Sequence, residues 1–215
     1  MSFWDVTLKL LDASKYTLGI FFLTLLIAIP LGMVICAFAL SKFKPLKYVT
    51  HVFIWIIRGT PLMLQLVVVF YGPGLLFGTP MQDRFLATII AFSINYAVYF
   101  AEIYRGGILA MPIGQYEAGK VLGMSRMQVN RLVILPQVTK KITPAMSNEV
   151  ITLVKDTSLA NFIGIAEIIF AAKSIVSTKA IIWPLFYTGV FYLAMVGVLT
   201  LFFKWLEKKM NYYKA

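Results

Sequence analysis

Ionisable side chains set inside apolar stretches are where this sequence can do chemistry. Glu149, Lys155, Asp156 and Glu167 interrupt an otherwise apolar segment from Ile142 to Ile169, with Asn148, Thr157 and Ser158 beside the first three. Glu149 and Asp156 are seven residues apart, which puts them near one helix face two turns removed. Lys155 and Asp156 are neighbours and point about 100° apart on a helix, so they do not pair with each other. In a cavity an acid meets a substrate ammonium group and a lysine its carboxylate, and Glu149 is the first candidate to face a substrate. Lys155, Asp156, Thr157 and Ser158 can instead hold an unwound helix end. A second array, Asn95, Tyr99 and Glu102, is spaced by four and three and shares one helix face. Glu102 and Arg105 are three apart, and mutual neutralisation is preferred there over substrate contact. Arg58, Thr60 and Gln65 surround Pro61, which breaks a helix turn and frees carbonyls. Cys36 is the single cysteine and His51 the single histidine, so neither an intramolecular disulfide nor a shared metal site can be built from them.

The elements that position these groups follow from composition. Of 215 residues, 60% are hydrophobic and 13% charged, with mean hydropathy +0.83. Soluble domains carry about 25% charged residues. A soluble fold of this size cannot hide so much apolar surface, and disorder, a coiled coil or a disulfide-built module are excluded too. The chain reads as an all-α integral membrane protein with five transmembrane helices in a single domain covering 1–215. A span needs about 20 apolar residues. The spans fall at about 16–41, 48–76, 84–105, 138–158 with an irregular outer end to about 176, and 180–204.

Thirteen basic residues flank one set of span ends: Lys42, Lys44, Lys47, Arg105, Lys120, Arg126, Arg131, Lys140, Lys141, Lys204, Lys208, Lys209 and Lys214. Five flank the other: Lys9, Lys15, Arg84, Lys173 and Lys179. The positive-inside rule then puts the N-terminus outside and the C-terminus in the cytoplasm. It accounts for the formal charge of +11 without nucleic acid. Residues Ser2 to Ser14 are amphipathic and are expected along the outer interface. The run beginning near Tyr16 is too long for a cleavable signal. Trp4, Trp55, Trp183 and Trp205 lie near span ends, where the interfacial belt favours them.

The loop from about Met111 to Pro136, between spans three and four, reads MPIGQYEAGKVLGMSRMQVNRLVILP. It predicts a short helix from about Gly114 to Leu122, ended by Gly123. A second begins at Ser125, which with Gln128 forms a capping-box pattern, and continues to Pro136. Gly114, Gly119 and Lys120 have phosphate-loop spacing, but no Ser or Thr follows and no strand precedes. Ala118, Gly123 and Ser125 also suit a helix-turn-helix, yet a loop tied at both ends to spans cannot readily enter a major groove. A docking element for another protein fits best. Glu117 offers a charged contact; Arg126 and Arg131 are either further contacts or topology charges.

The loop resembles the EAA loop of permease subunits of bacterial ATP-binding cassette importers: Glu117, Ala118, Gly119, then Gly123, then Val133, Ile134, Leu135 and Pro136. Gly119 replaces the second Ala of that pattern and Val133 an Ile. IIRGTPLMLQ (56–65), YFAEIYRGGI (99–108) and NEVITLVKDTSLANFIGIAEI (148–168) are similar to the polar amino-acid uptake branch. The resemblance implies the type I importer permease fold and a bacterial inner-membrane location. It also implies coupling through Glu117, Ala118, Gly119, Gly123, Ser125 and Arg126 to cytoplasmic ATPase subunits, two per complex. ATP and Mg would be bound by those partners and no cofactor by this chain. A second permease, copy or paralogue, and an external amino-acid-binding protein complete the expected assembly. The cargo would be a polar or charged amino acid, with Glu149 tilting toward a cationic or amphoteric one. A stand-alone secondary transporter or channel would need internal symmetry and more spans. A membrane enzyme would need a nucleophile or metal cluster that the sequence does not supply.

Overall fold

The computed structural model describes residues 2–210. Lys214, counted above among the topology charges, lies outside the described residues.

The chain is helical throughout, and among the described residues no strand occurs. α1 (Phe3–Ala39) is one unbroken helix, opened by a capping box in which the Ser2 hydroxyl accepts from the Asp5 N–H and the Asp5 carboxylate accepts from the Ser2 N–H. The amphipathic N-terminal stretch is therefore the first turns of the same rod, not a separate helix at the interface: the helix runs unbroken from Phe3 to Ala39, with only the rung at Pro30, which has no N–H, missing from its ladder. Next come α2 (Lys44–Gly59), α3 (Leu62–Phe77), α4 (Arg84–Leu109) and α5 (Ile113–Val121). α6 (Arg126–Gln128) passes through a π turn, Val129–Ile134, directly into α7 (Leu135–Asp156). A 3-10 turn (Thr157–Ile163), α8 (Ile168–Lys179) and α9 (Trp183–Met210) complete the chain.

Three helices, α1, α4 and α9, are each long and apolar enough to cross a membrane. The count rises to five if α2 with α3, bent by 105°, and the α6-to-α8 segment, bent by 49°, each form one span.

α1 and α4 run parallel, because Gly19 lies against Phe85 and Gly32 against residues 97–101. α4 and α7 run antiparallel: Gly107 meets Val138 and Ile142, while Tyr96 meets Asp156. The Thr143 hydroxyl, early in α7, faces the Met210 sulfur at the end of α9. This arrangement gathers the ends of α1, α4 and α9 at one pole with α5 and α6, so the basic segments of the described chain share that pole. The opposite pole holds the start of α1, α8 and the beginning of α9, packed through Val6, Leu10, Ile168, Ala172 and Ile175.

The central core is the α1–α4 seam. A Cβ on Gly32 would lie 2.9 Å from the Ala97 carbonyl oxygen, 2.9 Å from the Phe100 Cβ and 3.3 Å from the Ala101 nitrogen. Where lipid replaces water, helices associate through such small-residue contacts, because apolar burial between them contributes little. The obstructing atoms are mostly backbone and cannot rotate away. Gly32→Ala is therefore expected to cost about 1–2 kcal/mol by overpacking, read as a lower unfolding temperature of the protein in detergent; an unchanged value would place the seam elsewhere.

Candidate functional site

Pro61 decides the first part of the site. Thr60 and Pro61 are both extended (φ −118°, ψ 142° and φ −62°, ψ 136°), as a residue preceding proline and proline itself prefer. The chain turns between α2 and α3, leaving the last carbonyls of α2 without helical donors. Side chains supply them. The Thr60 hydroxyl donates to the Ile56 carbonyl at 2.9 Å. The Gln65 amide group shares its hydrogens among the Ile57 carbonyl (2.7 Å), the Thr60 hydroxyl (2.9 Å) and the Thr60 carbonyl (3.1 Å). The Gln65 carbonyl oxygen in turn accepts from the buried Asn95 amide at 3.0 Å. Thr60, Gln65 and Asn95 thus staple the broken helix to α4, in a position where irregular backbone is tolerated only against protein or a wet cavity.

One turn further along α4, the half-buried Tyr99 ring underlies Arg58, whose guanidinium carbon is 5.4 Å from the ring centroid. Arg58 Nη1 also reaches Glu102 Oε2, at 3.5 Å, a loose contact. Glu102 is held more firmly by Arg105, through Nε at 2.7 Å and Nη2 at 2.8 Å, a two-pronged pair of the kind that is strong when ionised. Arg58 is the less committed cation, with its side chain 46% exposed against 30% for Arg105.

α7 faces this array. Asp156 accepts from the Tyr96 hydroxyl at 2.7 Å, and Tyr96 is 2% exposed. Lys155, one residue earlier, points outward and is exposed. Glu149 is half-buried two turns from Asp156 and within electrostatic range of both Asp156 and Arg58. It accepts no hydrogen bond from a described residue. Ser158, in the 3-10 turn, donates to the Lys155 carbonyl at 2.7 Å. Thr157 does the same to Val154 at 2.6 Å, so this pair closes the end of α7. The structure thus collects Arg58, Tyr99, Glu102 and Glu149 with Asn95, Gln65 and Asp156 along the faces where α2, α3, α4 and α7 converge, and leaves Lys155 apart.

Two buried polar residues have roles that the sequence reading did not assign. Tyr96 lies next to Asn95, and its hydroxyl was hidden within an aromatic run. Glu167 is wholly buried, yet it caps α8: its carboxylate accepts from the N–H groups of Ile169 and Phe170, both at 2.8 Å, and from the Tyr192 hydroxyl at 3.1 Å. A carboxylate at the N-terminal end of a helix, with three donors, is a structural anchor. The spacing of Glu167 ahead of Ile168 could have signalled the cap.

The second part of the site is the loop. α5 starts at Ile113 behind Pro112, and ends in a Schellman turn: the Met124 N–H donates to the Gly119 carbonyl at 3.0 Å and the Gly123 N–H to Lys120 at 3.1 Å. Gly123 has φ +73°, a conformation that glycine alone adopts without strain. Ser125 and Gln128 form the reciprocal capping box. The expected stop at Pro136 does not occur. Leu135 donates to the Asn130 carbonyl, five residues back, so one wider turn precedes Pro136 and the helix runs on through it, as it does through Pro30 and Pro144. The second loop helix and α7 are one rod from Arg126 to Asp156. Glu117, Ala118, Ser125 and Arg126 are all exposed, and Gly119 is buried. Val121 and Leu122 are 87% and 77% exposed. Such apolar exposure at the edge of a fold marks a surface made for a partner.

A family profile described as binding-protein-dependent transport system inner membrane component matches residues 28–212. The chain is 35% identical over 203 residues to the arginine transport system permease protein ArtQ of Bacillus subtilis (strain 168), covering 94% of this chain and 92% of that one. It is 34% identical over 212 residues to the glutamine transport system permease protein GlnP of Escherichia coli (strain K12), covering 97% and 95%. Among solved structures it is similar to an amino acid ABC transporter crystallised with histidines, at 32% identity and a TM-score of 0.88, covering 97% of this chain and 99% of that one. The inward-facing methionine transporter MetNI shares the fold, with a TM-score of 0.71 at 18% identity over 98% of this chain and 99% of that one.

Proposed function

The chain belongs to the binding-protein-dependent transport inner membrane components, the permease subunits of ABC importers, and we propose that its cargo is a polar or charged amino acid, cationic or amphoteric by preference. ATP hydrolysis lies in a separate subunit. The observation that carries the cargo reading is the half-buried Glu149, whose carboxylate accepts no hydrogen bond from a described residue and shares its surroundings with Arg58 and Asp156. An ionisable group inside a membrane is costly unless paired or wet, so a carboxylate kept there without a hydrogen bond is suited to a passing ammonium or guanidinium group. The arginine and glutamine permeases among the relatives are consistent with a polar amino-acid cargo.

In the same reading, Arg58, Thr60, Gln65, Asn95, Tyr99, Asp156 and Ser158 line or support the route, Lys155, exposed and apart from the array, stands outside it, and Glu102 with Arg105 is the structural pair. The pole carrying α5 and α6 faces the cytoplasm, so the N-terminus is outside and the C-terminus inside; the shared position of the basic segments supports this. Two ATPase subunits bind ATP and Mg below, this chain binds no cofactor, and an external amino-acid-binding protein delivers cargo above. A second permease, copy or paralogue, forms the other half of the route.

Glu117, Val121 and Leu122 meet the ATPase. Glu117→Lys reverses the charge at that contact, and is expected to lower ATP-driven uptake into proteoliposomes about tenfold, in line with coupling energies of a few kcal/mol, with insertion unchanged. Wild-type uptake by this variant removes the docking assignment.

A further inference from the structure

The loop departs from its family's pattern at Gly119, and the structure gives that departure a use. Gly119 is the one buried residue of α5. A Cβ placed on it would lie 2.5 Å from Val129 Cγ2, 3.3 Å from Cγ1 and 3.4 Å from Cβ. All three side-chain carbons of Val129 therefore crowd the same point. A β-branched residue in a helix has one strongly preferred rotamer, and turning it would only bring its other methyl forward. Val129 is 3% exposed and fills the space that the missing side chain leaves.

Val129 also opens the π turn. With Ile134 and Val138 it forms a small apolar cluster, backed by Ile108, Met111, Met124, Val133 and Ile142. The steps from 129 to 134 to 138 are five and four residues. A step of five leaves the face of a helix with 3.6 residues per turn, but returns to it through one wider turn. The π turn lets Val129 bear on α5 while Val138, further along the same face, bears on Gly107 of α4. From Val129 the helical backbone then runs on to Asp156, past Glu149.

We propose that the Val129–Gly119 contact is the mechanical joint of the permease, through which displacement of α5 by the motor is passed into α7 and on to Glu149 and Asp156. Gly119 and Val129 are then positioning residues for coupling; neither touches cargo or nucleotide. This rests on the docking reading of α5 above and adds the path beyond it. The far side of α5, with Glu117 and Val121 exposed, is where the partner pushes. The Gln137 amide also donates to the Gln115 carbonyl oxygen at 3.3 Å, tying the two helices near the same joint.

The test uses the assembled transporter in proteoliposomes, comparing wild type, Gly119→Ala, Val129→Ala and the double variant. Cargo moved per ATP hydrolysed is measured beside subunit retention and unfolding temperature. Gly119→Ala pushes the helices apart and is expected to lower cargo per ATP about tenfold, within the usual range for coupling between sites, while the ATPase subunits stay bound. Val129→Ala alone leaves the joint slack and lowers the same ratio. The double variant removes the valine methyl groups that the added alanine side chain would strike, and recovers most of the ratio. Wild-type coupling in either single variant overturns the proposal. So does a double variant that regains assembly and thermal stability without regaining cargo per ATP, which would make the contact packing alone. If Glu117→Lys uncouples while Gly119→Ala is silent, only the joint is lost; if both are silent, the docking reading falls with it.

Discussion

Replacing Glu102 with leucine is expected to destabilise the folded chain by about 3 kcal/mol, because it leaves the part-buried Arg105 without the carboxylate that pairs with it. Glu102 is the shared anion of two cations: Arg105 grips it with two hydrogen bonds and Arg58 touches it at 3.5 Å. Its side chain is only 18% exposed. Removing it leaves Arg105 within α4 and Arg58 at the broken end of α2 without a carboxylate. The value sits at the low end of the range for buried pairs because both arginines keep some access to solvent. For a protein of this size it corresponds to an unfolding temperature lower by roughly 6–12 °C, measured on the purified protein in detergent. The double variant Glu102→Leu, Arg105→Leu removes the anion together with its tighter partner and is expected to be milder than Glu102→Leu alone. A double variant worse than the single would mean that Arg105 is held by something other than Glu102, and an unchanged temperature in the single variant would mean the pair carries no stability.

That pair was legible from spacing, because residues three apart on a helix are neighbours whatever surrounds them. So were the turn at Gly123 and the Ser125–Gln128 box, which are likewise local. The break at Pro61 was readable too, since proline lacks the N–H and restricts the residue before it. The ends of the loop show where local reasoning stops. Pro136 reads as a helix terminator, yet the helix runs on through it, as it does through Pro30 and Pro144; the π turn upstream aligns Val129, Ile134 and Val138 against neighbours distant in sequence. Gly119 looked like a small deviation from a family pattern, and its reason, a valine ten residues on, exists only once the chain is folded back. Tyr96 was invisible for the same cause: its hydroxyl acquires meaning from Asp156, sixty residues away. The membrane makes this gap wider than in a soluble protein. Apolar patterning identifies spans but gives little guidance on which faces meet, because lipid satisfies an apolar face as well as another helix does.

Glu149 is where these two levels meet. Its sequence spacing from Asp156 put both acids on one face of α7, and the folded chain adds the asymmetry between them: Asp156 is engaged by Tyr96, whereas Glu149 has only longer-range company. Arg58, loosely held by Glu102 and resting on Tyr99, is the cation nearest in role. It can favour the Glu149 charge when cargo is absent and lean toward Glu102 when an ammonium or guanidinium group arrives. Glu149→Gln keeps the size and the acceptor but removes the charge. A hydrogen bond to a charged group contributes about 1.5–3 kcal/mol, so uptake of a cationic amino acid at limiting concentration is expected to fall roughly 10- to 100-fold on the same scale. A neutral amino acid should be affected far less. The measurement is initial uptake of arginine and of glutamine by the reconstituted transporter, with ATP hydrolysis followed in parallel. An equal loss for both would assign Glu149 to the frame of the route, and no loss for either would move the cargo away from α7 altogether. Arg58→Gln separates the remaining possibility. With its counter-cation gone, Glu149 should draw cationic cargo more tightly and release it more slowly, lowering turnover while lowering the concentration for half-maximal uptake; a rise in both would show that Arg58 acts elsewhere.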